Sequence, residues 1–267
     1  MRPVCGRGAA CAAPAKSTVT TLAVRKMRRI IKMRRINKMR ALSKCGASSK
    51  CGSPANILYC NMFEGVMDRM LASLPYNRER AISYARRWAL DRNPLFFDFT
   101  GRGGDCTDFV SQCILAGCCV MNYTPDFGWY YISVEDRAPA WTGVEFFYDF
   151  ITGASDFAAE NGGTGPYGYE VPRRGMNGVP AVVPGDVVQL ADAEGDFYHT
   201  LFITDVDGSE IFVAAHSDDA LDRRLSTYNY ASSRFIHIVG ARIEVAGGDC
   251  FEALIAGEAL PAPPEMR

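Results

Sequence analysis

Cys106 follows directly on Gly103-Gly104-Asp105 and opens a stretch of helical periodicity. A cysteine in the first turn of a helix lies at the positive end of the helix dipole, beside N–H groups that have no partner within the helix. Both features favour a thiolate, and the same N–H groups can hold a developing oxyanion. Two glycines before it let the backbone come close to a substrate. A thiol nucleophile needs a base, and the chain has three histidines, His199, His216 and His237. His199 lies in the strand-like run Tyr198 to Asp205 and shares a face with Leu201 and Ile203, the face expected to turn toward the helix. If Asp207-Gly208 is the two-residue loop of a hairpin, Val206 pairs with Ser209 and His199 with His216. The two imidazoles then stand opposite each other, with Cβ atoms about 4.5–5.5 Å apart. A nucleophile, a base and a group that orients the base are the elements of covalent catalysis. The competing reading is ordinary: a cysteine on an apolar stripe and two half-buried histidines packed as core. His237 alternates with apolar neighbours in Phe235-Ile-His-Ile and reads as structural.

The elements that must position these residues are legible in outline. Asn77 to Leu90 has Ile82, Ala85 and Ala89 at helical spacing, and Asn93-Pro94 ends that helix. In the next helix Cys106, Phe109, Val110, Cys113 and Ile114 form one apolar stripe, with Asp105 as its N-cap and Gly117 as its C′ residue. Met121 to about Gly175 is aromatic and loop-rich, with a short helix around Trp141 to Phe150. Beyond Pro184-Gly185 the period changes to two. Val187 to Leu190, Tyr198 to Val206, Ile211 to His216 and Phe235 to Val245 read as strands. Helices first and antiparallel strands second predict an α+β fold with the helices packed on one side of a sheet.

The 267 residues are 48% hydrophobic and carry a net charge of −1, an average that hides a division. Residues 1–63 contain 14 Lys/Arg and no acid, which leaves 15 basic residues against all 30 acids in the remainder. The near-repeat Lys26-Met-Arg-Arg-Ile-Ile, Lys32-Met-Arg-Arg-Ile-Asn, Lys38-Met-Arg-Ala-Leu has a six-residue period. That period fits neither a helix nor a coiled coil. The expected organisation is a basic, disordered segment over 1–62, a domain over 63–250 and a tail over 251–267. A polyanion or nucleic-acid arm is the alternative reading of the basic segment. No apolar run approaches a membrane span. Ser17 to Val24 is too short and too polar for a signal peptide, which makes a cytoplasmic location the default. Of the ten cysteines none forms a Cys-x-x-Cys pair, so neither a metal site nor a cofactor is expected. Cys118-Cys119 reads as a buried helix end, and the cysteine pattern fits a reducing compartment.

Gly103-Gly-Asp-Cys-Thr-Asp-Phe-Val-Ser-Gln-Cys113 resembles the nucleophile motif of bacterial putative amidase domains. These belong to the papain-like group that includes the NlpC/P60 and CHAP cell-wall peptidases. Tyr84-Ala-Arg-Arg-Trp-Ala-Leu, Met121-Asn-Tyr-Thr-Pro-Asp, Ala140-Trp-Thr, Pro184-Gly-Asp-Val-Val-Gln, Tyr198-His-Thr and Ala215-His-Ser extend the resemblance over about Tyr76 to Ile238. It implies a papain-like fold, Cys106 as nucleophile, His199 as general base and His216 as the third polar residue. Asp108 departs from the pattern, where Asn is expected. Papain-like sites also use a side chain shortly before the nucleophile. Asp98 and Tyr84 fit that place, with Asp105 as further support. Asp218 and Asp219 either orient a histidine or lie solvated in a turn. Trp129, Tyr130, Tyr131 and Trp141 either line a substrate groove or form the core of their connection. The implied substrate is a peptide or amide, with peptidoglycan stem peptides as one candidate. The implied reaction is cysteine-dependent amide hydrolysis, against acyl transfer by the same triad or a non-catalytic binding domain.

Overall fold

The computed structural model describes residues 71–154, 160–172, 180–244 and 248–263. They fall within a compact unit spanning Arg69–Arg267. The basic segment expected over 1–62 lies outside the described residues.

The architecture is α+β. Helix α1 (Arg78–Trp88) is capped by Asn77, whose side chain accepts the Arg80 N–H, and it buries Ala81, Tyr84, Ala85 and Trp88. Helix α2 (Cys106–Cys118) is buried along its whole length. Helices α3 (Pro139–Thr142) and α4 (Val144–Thr152) follow where one short helix was expected. The strands are β1 (Ala72–Pro75), β2 (Gly165–Val171), β3 (Val187–Ala191), β4 (Phe197–Asp207), β5 (Glu210–Ala215), β6 (Ala220–Arg224) and β7 (Ser232–Ile243). They form one antiparallel sheet in the order β1-β7-β3-β4-β5-β6, with β2 also paired to β7. Sequence reasoning did not find β1, β2 or β6. Each is short or lies at an edge, and β2 holds Gly165, Pro166 and Gly168, which weaken any strand signal.

Alternation along the strands divides the core. Val187, Phe202, Ala214, Ile236 and Ile238 pack against the helices. Val188, Leu190, Leu201, Ile203, Val213 and Phe235 form a second cluster. The side of β4 that meets the helix layer is therefore that of Thr200 and Phe202, not the Leu201–Ile203 side expected from sequence. The hairpin register differs too. Asp207 pairs with Glu210 and Val206 with Ile211, and after an irregularity between Ile203 and Asp205 the pairing becomes Phe202 with Ala214. Continued by two residues, that register sets His216 level with Thr200. His199 and His216 are not opposite one another.

Three further expectations change. Asp105 precedes α2, but its side chain makes no cap hydrogen bond to the helix. Gly117 lies inside the helix, where a Cβ would collide with the Tyr76 ring, and Cys119 takes the left-handed position at φ 53°. Cys119 is also disulfide-bonded to Cys250, with Cα atoms 5.5 Å apart, against the expectation of reduced cysteines. The bridge and a last helix, α5 (Phe251–Ala256), with Leu254 fully buried, bring the expected tail into the body. Among the described residues no helix is long and apolar enough to cross a membrane.

Candidate active site

Cys106 is the first residue of α2 and is 5% exposed. The glycines before it adopt φ +112° and +99°, values that only glycine takes without strain. They carry the chain sharply into the helix. The helix start is then pinned to β4: Thr107 Oγ1 lies 2.9 Å from Thr200 Oγ1, which accepts from Gln189 Nε2 at 3.1 Å. Gln189 Nε2 also donates to the Val144 carbonyl, and its oxygen accepts from Arg234 Nε at 2.6 Å. The Arg234 guanidinium is held between the rings of Tyr148 and Phe197 and faces Glu145 at 3.3 Å. This buried chain of polar groups fixes the start of α2, through Thr107, against Thr200, the residue after His199.

Burial raises the Cys106 thiol pKa, and the Thr200 and Thr107 hydrogen bonds offset only part of that effect. The thiolate expected from the helix dipole is therefore not the resting state at neutral pH. His199, half-buried at the start of β4, has its pKa lowered to about 4, chiefly by burial; Asp218 pulls it up and Arg223 pushes it down. Its ring lies 6.1 Å from those of Tyr198 and Tyr228. Tyr228 packs against the second cluster, so this ring is at the strand end and not inside the helix layer. The imidazole is neutral near pH 7, the form that accepts a proton.

His216 is fully buried and stacked 4.0 Å from Phe109. Its Nε2 donates to the Trp88 carbonyl at 2.8 Å, and its Nδ1 lies 2.7 Å from Asp105 Oδ2. A carbonyl only accepts, so Nε2 carries a hydrogen. Asp105 Oδ1 accepts the Phe99 N–H at 2.9 Å, and Arg92 Nε stands 3.4 Å from Oδ2. His216 thus braces the residue before the nucleophile.

The other expected site residues separate into rim and core. Asp98 is half exposed, accepts from Thr100 and faces Arg92 at 3.5 Å. Asp219 is paired with Arg92 and Asp218 with Arg223. Tyr84 is fully buried; it donates to Gln112 and accepts from Asn93, so its hydroxyl is committed to the core. Trp129 and Trp141 are buried and pack ring to ring, donating to Ser111 and Asp108 respectively, and Tyr130 is almost buried with its hydroxyl on Asp136. They form the core of their connection, not a groove. Asp108, held by Trp141 and Gln112, has its carboxyl pKa pushed well up, first by burial. His237 Nδ1 lies 2.9 Å from Asp186 Oδ2, and the same carboxylate accepts from Arg78 and from the Val183 and Ile238 N–H groups. It is a structural staple. Among the described residues no group of three or more His, Cys, Asp or Glu is arranged to hold a metal.

Sequence reasoning missed Ser217. It adopts φ +75°, and its Oγ accepts the Asp105 N–H at 2.6 Å. It was present in the stretch Ala215-His-Ser, but nothing in residue type alone distinguishes a turn serine that meets the nucleophile loop.

The site thus consists of a cysteine at a helix start beside a histidine-bearing strand, in an α+β domain. The model of the putative amidase domain family matches residues 75–239, and the chain belongs to that family. It is also similar to the uncharacterized protein YhbB of Bacillus subtilis (strain 168), 27% identical over 178 residues, which are 61% of this chain and 50% of that protein. The chain thus spans about half the length of that relative. No solved structure matches it.

Proposed function

We propose that the domain is a cysteine amidase of papain-like arrangement that hydrolyses a peptide or other amide bond. Cys106 is the nucleophile and His199 the general base. The observation that carries the reading is the position of Cys106 at the start of α2, which Thr107 ties to Thr200, the residue that follows His199 on β4. The neutral thiol attacks the amide carbon while the neutral imidazole takes its proton. The carbonyl electron pair moves to oxygen, where the Cys106 N–H and the helix start stabilise it. On collapse the C–N bond breaks and the imidazolium returns the proton to the leaving amine. Water then attacks the thioester with the same imidazole as base. His216 acts through Asp105 and positions the loop; it does not touch the reacting atoms.

The test is amine release from a panel of short peptide amides, peptidoglycan stem peptides included. Turnover is expected from the wild type, with loss of at least about 1,000-fold in Cys106→Ala and in His199→Ala. Equal turnover in wild type and Cys106→Ala contradicts the reading.

A further inference from the structure

We propose that Ser217 is a further catalytic residue of this site, donating its hydroxyl hydrogen to the substrate carbonyl oxygen as negative charge develops there. The proposal rests on the cysteine-amidase reading. Ser217 is exposed at the turn between β5 and β6 and holds φ +75°, a conformation that costs a non-glycine residue energy. Its Oγ accepts the Asp105 N–H at 2.6 Å. That bond uses a lone pair and leaves the O–H hydrogen, and among the described residues it is the only hydrogen bond of this hydroxyl. The polar side chains on either side of Cys106 in sequence are committed: Thr107 to Thr200, and Asp105 to Phe99 and His216.

Gly104 shows where the free hydrogen can go. A Cβ built on it would lie 3.6 Å from Ser217 Oγ and 4.0 Å from Cys106 Sγ. A point over this glycine therefore lies within 4.0 Å of both the nucleophile and a hydroxyl donor. A carbonyl group placed there presents carbon to sulfur and oxygen to Ser217. As the S–C bond forms, the C=O π pair moves to oxygen, the thiol proton goes to His199, and Ser217 lends a hydrogen bond without losing its own proton. The Asp105 N–H fixes the lone-pair side of Oγ, so the donor is oriented before substrate arrives, which is what makes such a group effective.

The full chain carrying Ser217→Ala or Ser217→Gly tests this. Both lose the hydroxyl, while glycine accepts φ +75° freely and so protects folding in at least one variant. Two rates are read in each. One is acetylation of Cys106 by p-nitrophenyl acetate, followed as the nitrophenolate burst, a step that builds an oxyanion. The other is alkylation by iodoacetamide at the same pH, a displacement at saturated carbon that builds none. Acetylation should fall about 100-fold, with alkylation changed less than about threefold. If both rates fall together, Ser217 only holds the turn and the proposal is overturned; it is also overturned if neither falls. A wild-type burst that survives Cys106→Ala, or no burst at all, removes the cysteine reading itself and the proposal with it, a pattern distinct from the other two.

Discussion

The Cys106 thiol feels two opposed effects. N–H groups at the helix start and from Thr200 stabilise its anion, while near-complete burial disfavours any charge, and burial is the larger. With His199 lowered to about 4 by the same cause, the resting pair is neutral thiol and neutral imidazole. The sign is clear for both groups: protonated imidazole appears only on acidification through about pH 4, and free thiolate only above the ordinary thiol value of about 8.5. Iodoacetamide labelling of Cys106 should therefore still be rising with pH above about 8.5; a plateau reached by about pH 6 would reveal an ion pair. Cys106 should still react before Cys118, raised to about 12, and Cys113, raised well above the ordinary range. At this scale the helix start at Cys106 was readable because Gly-Gly and an apolar stripe mark it. The fates of Tyr84, Trp129 and Trp141 were not, because their burial depends on polar partners, Gln112, Ser111 and Asp108, contributed by another helix.

Between elements, the decisive contact is α2 on β4. Periodicity located β3, β4, β5 and β7, yet it misjudged which side of β4 meets the helices, since Leu201 and Ile203 are as apolar as a helix-facing pair would be. The sheet is buried on both faces, and alternation then names two faces without ranking them. The hairpin register shifted for a similar reason: the turn is Gly208-Ser209 and the bulge near Thr204 leaves no mark in sequence. The Thr107–Thr200–Gln189–Arg234 chain supplies what alternation could not, a polar lock between the layers. Gln189→Leu strands Arg234 Nε and removes a donor from Thr200. It should cost about 1–3 kcal/mol or somewhat more, because one partner is charged, and amide turnover should fall with it. Urea melts and turnover measured on the same variant check this. Stability within about 0.5 kcal/mol of wild type would show the lock is idle.

Across the whole molecule, the sheet carries helices on one face, and the Cys119–Cys250 bridge ties α5 to the C-terminal end of α2 in that layer. Trp88 donates to the Ile255 carbonyl and Asn93 to that of Leu254, so α5 is packed as well as tethered. The bridge joins residues 131 apart in sequence, a long loop whose closure restrains the unfolded chain. Cys250→Ser should lower stability by about 2–5 kcal/mol, read by calorimetry under non-reducing conditions, while the rate of Cys106 acetylation changes little. An unchanged melting temperature would mean that packing alone secures the C-terminal helix. The α+β class and the helix-then-strand order were readable from the whole sequence. The bridge was not, because ten scattered cysteines allow many pairings and only the fold brings these two together. The central claim is that Cys106 carries the acyl group. Intact-mass and peptide mapping of the full chain, quenched in acid during reaction with p-nitrophenyl acetate, tests it most directly. The account predicts one acetyl group, on the Cys106 peptide and absent from Cys106→Ala; acetylation spread over other residues, or persisting in that variant, would contradict it.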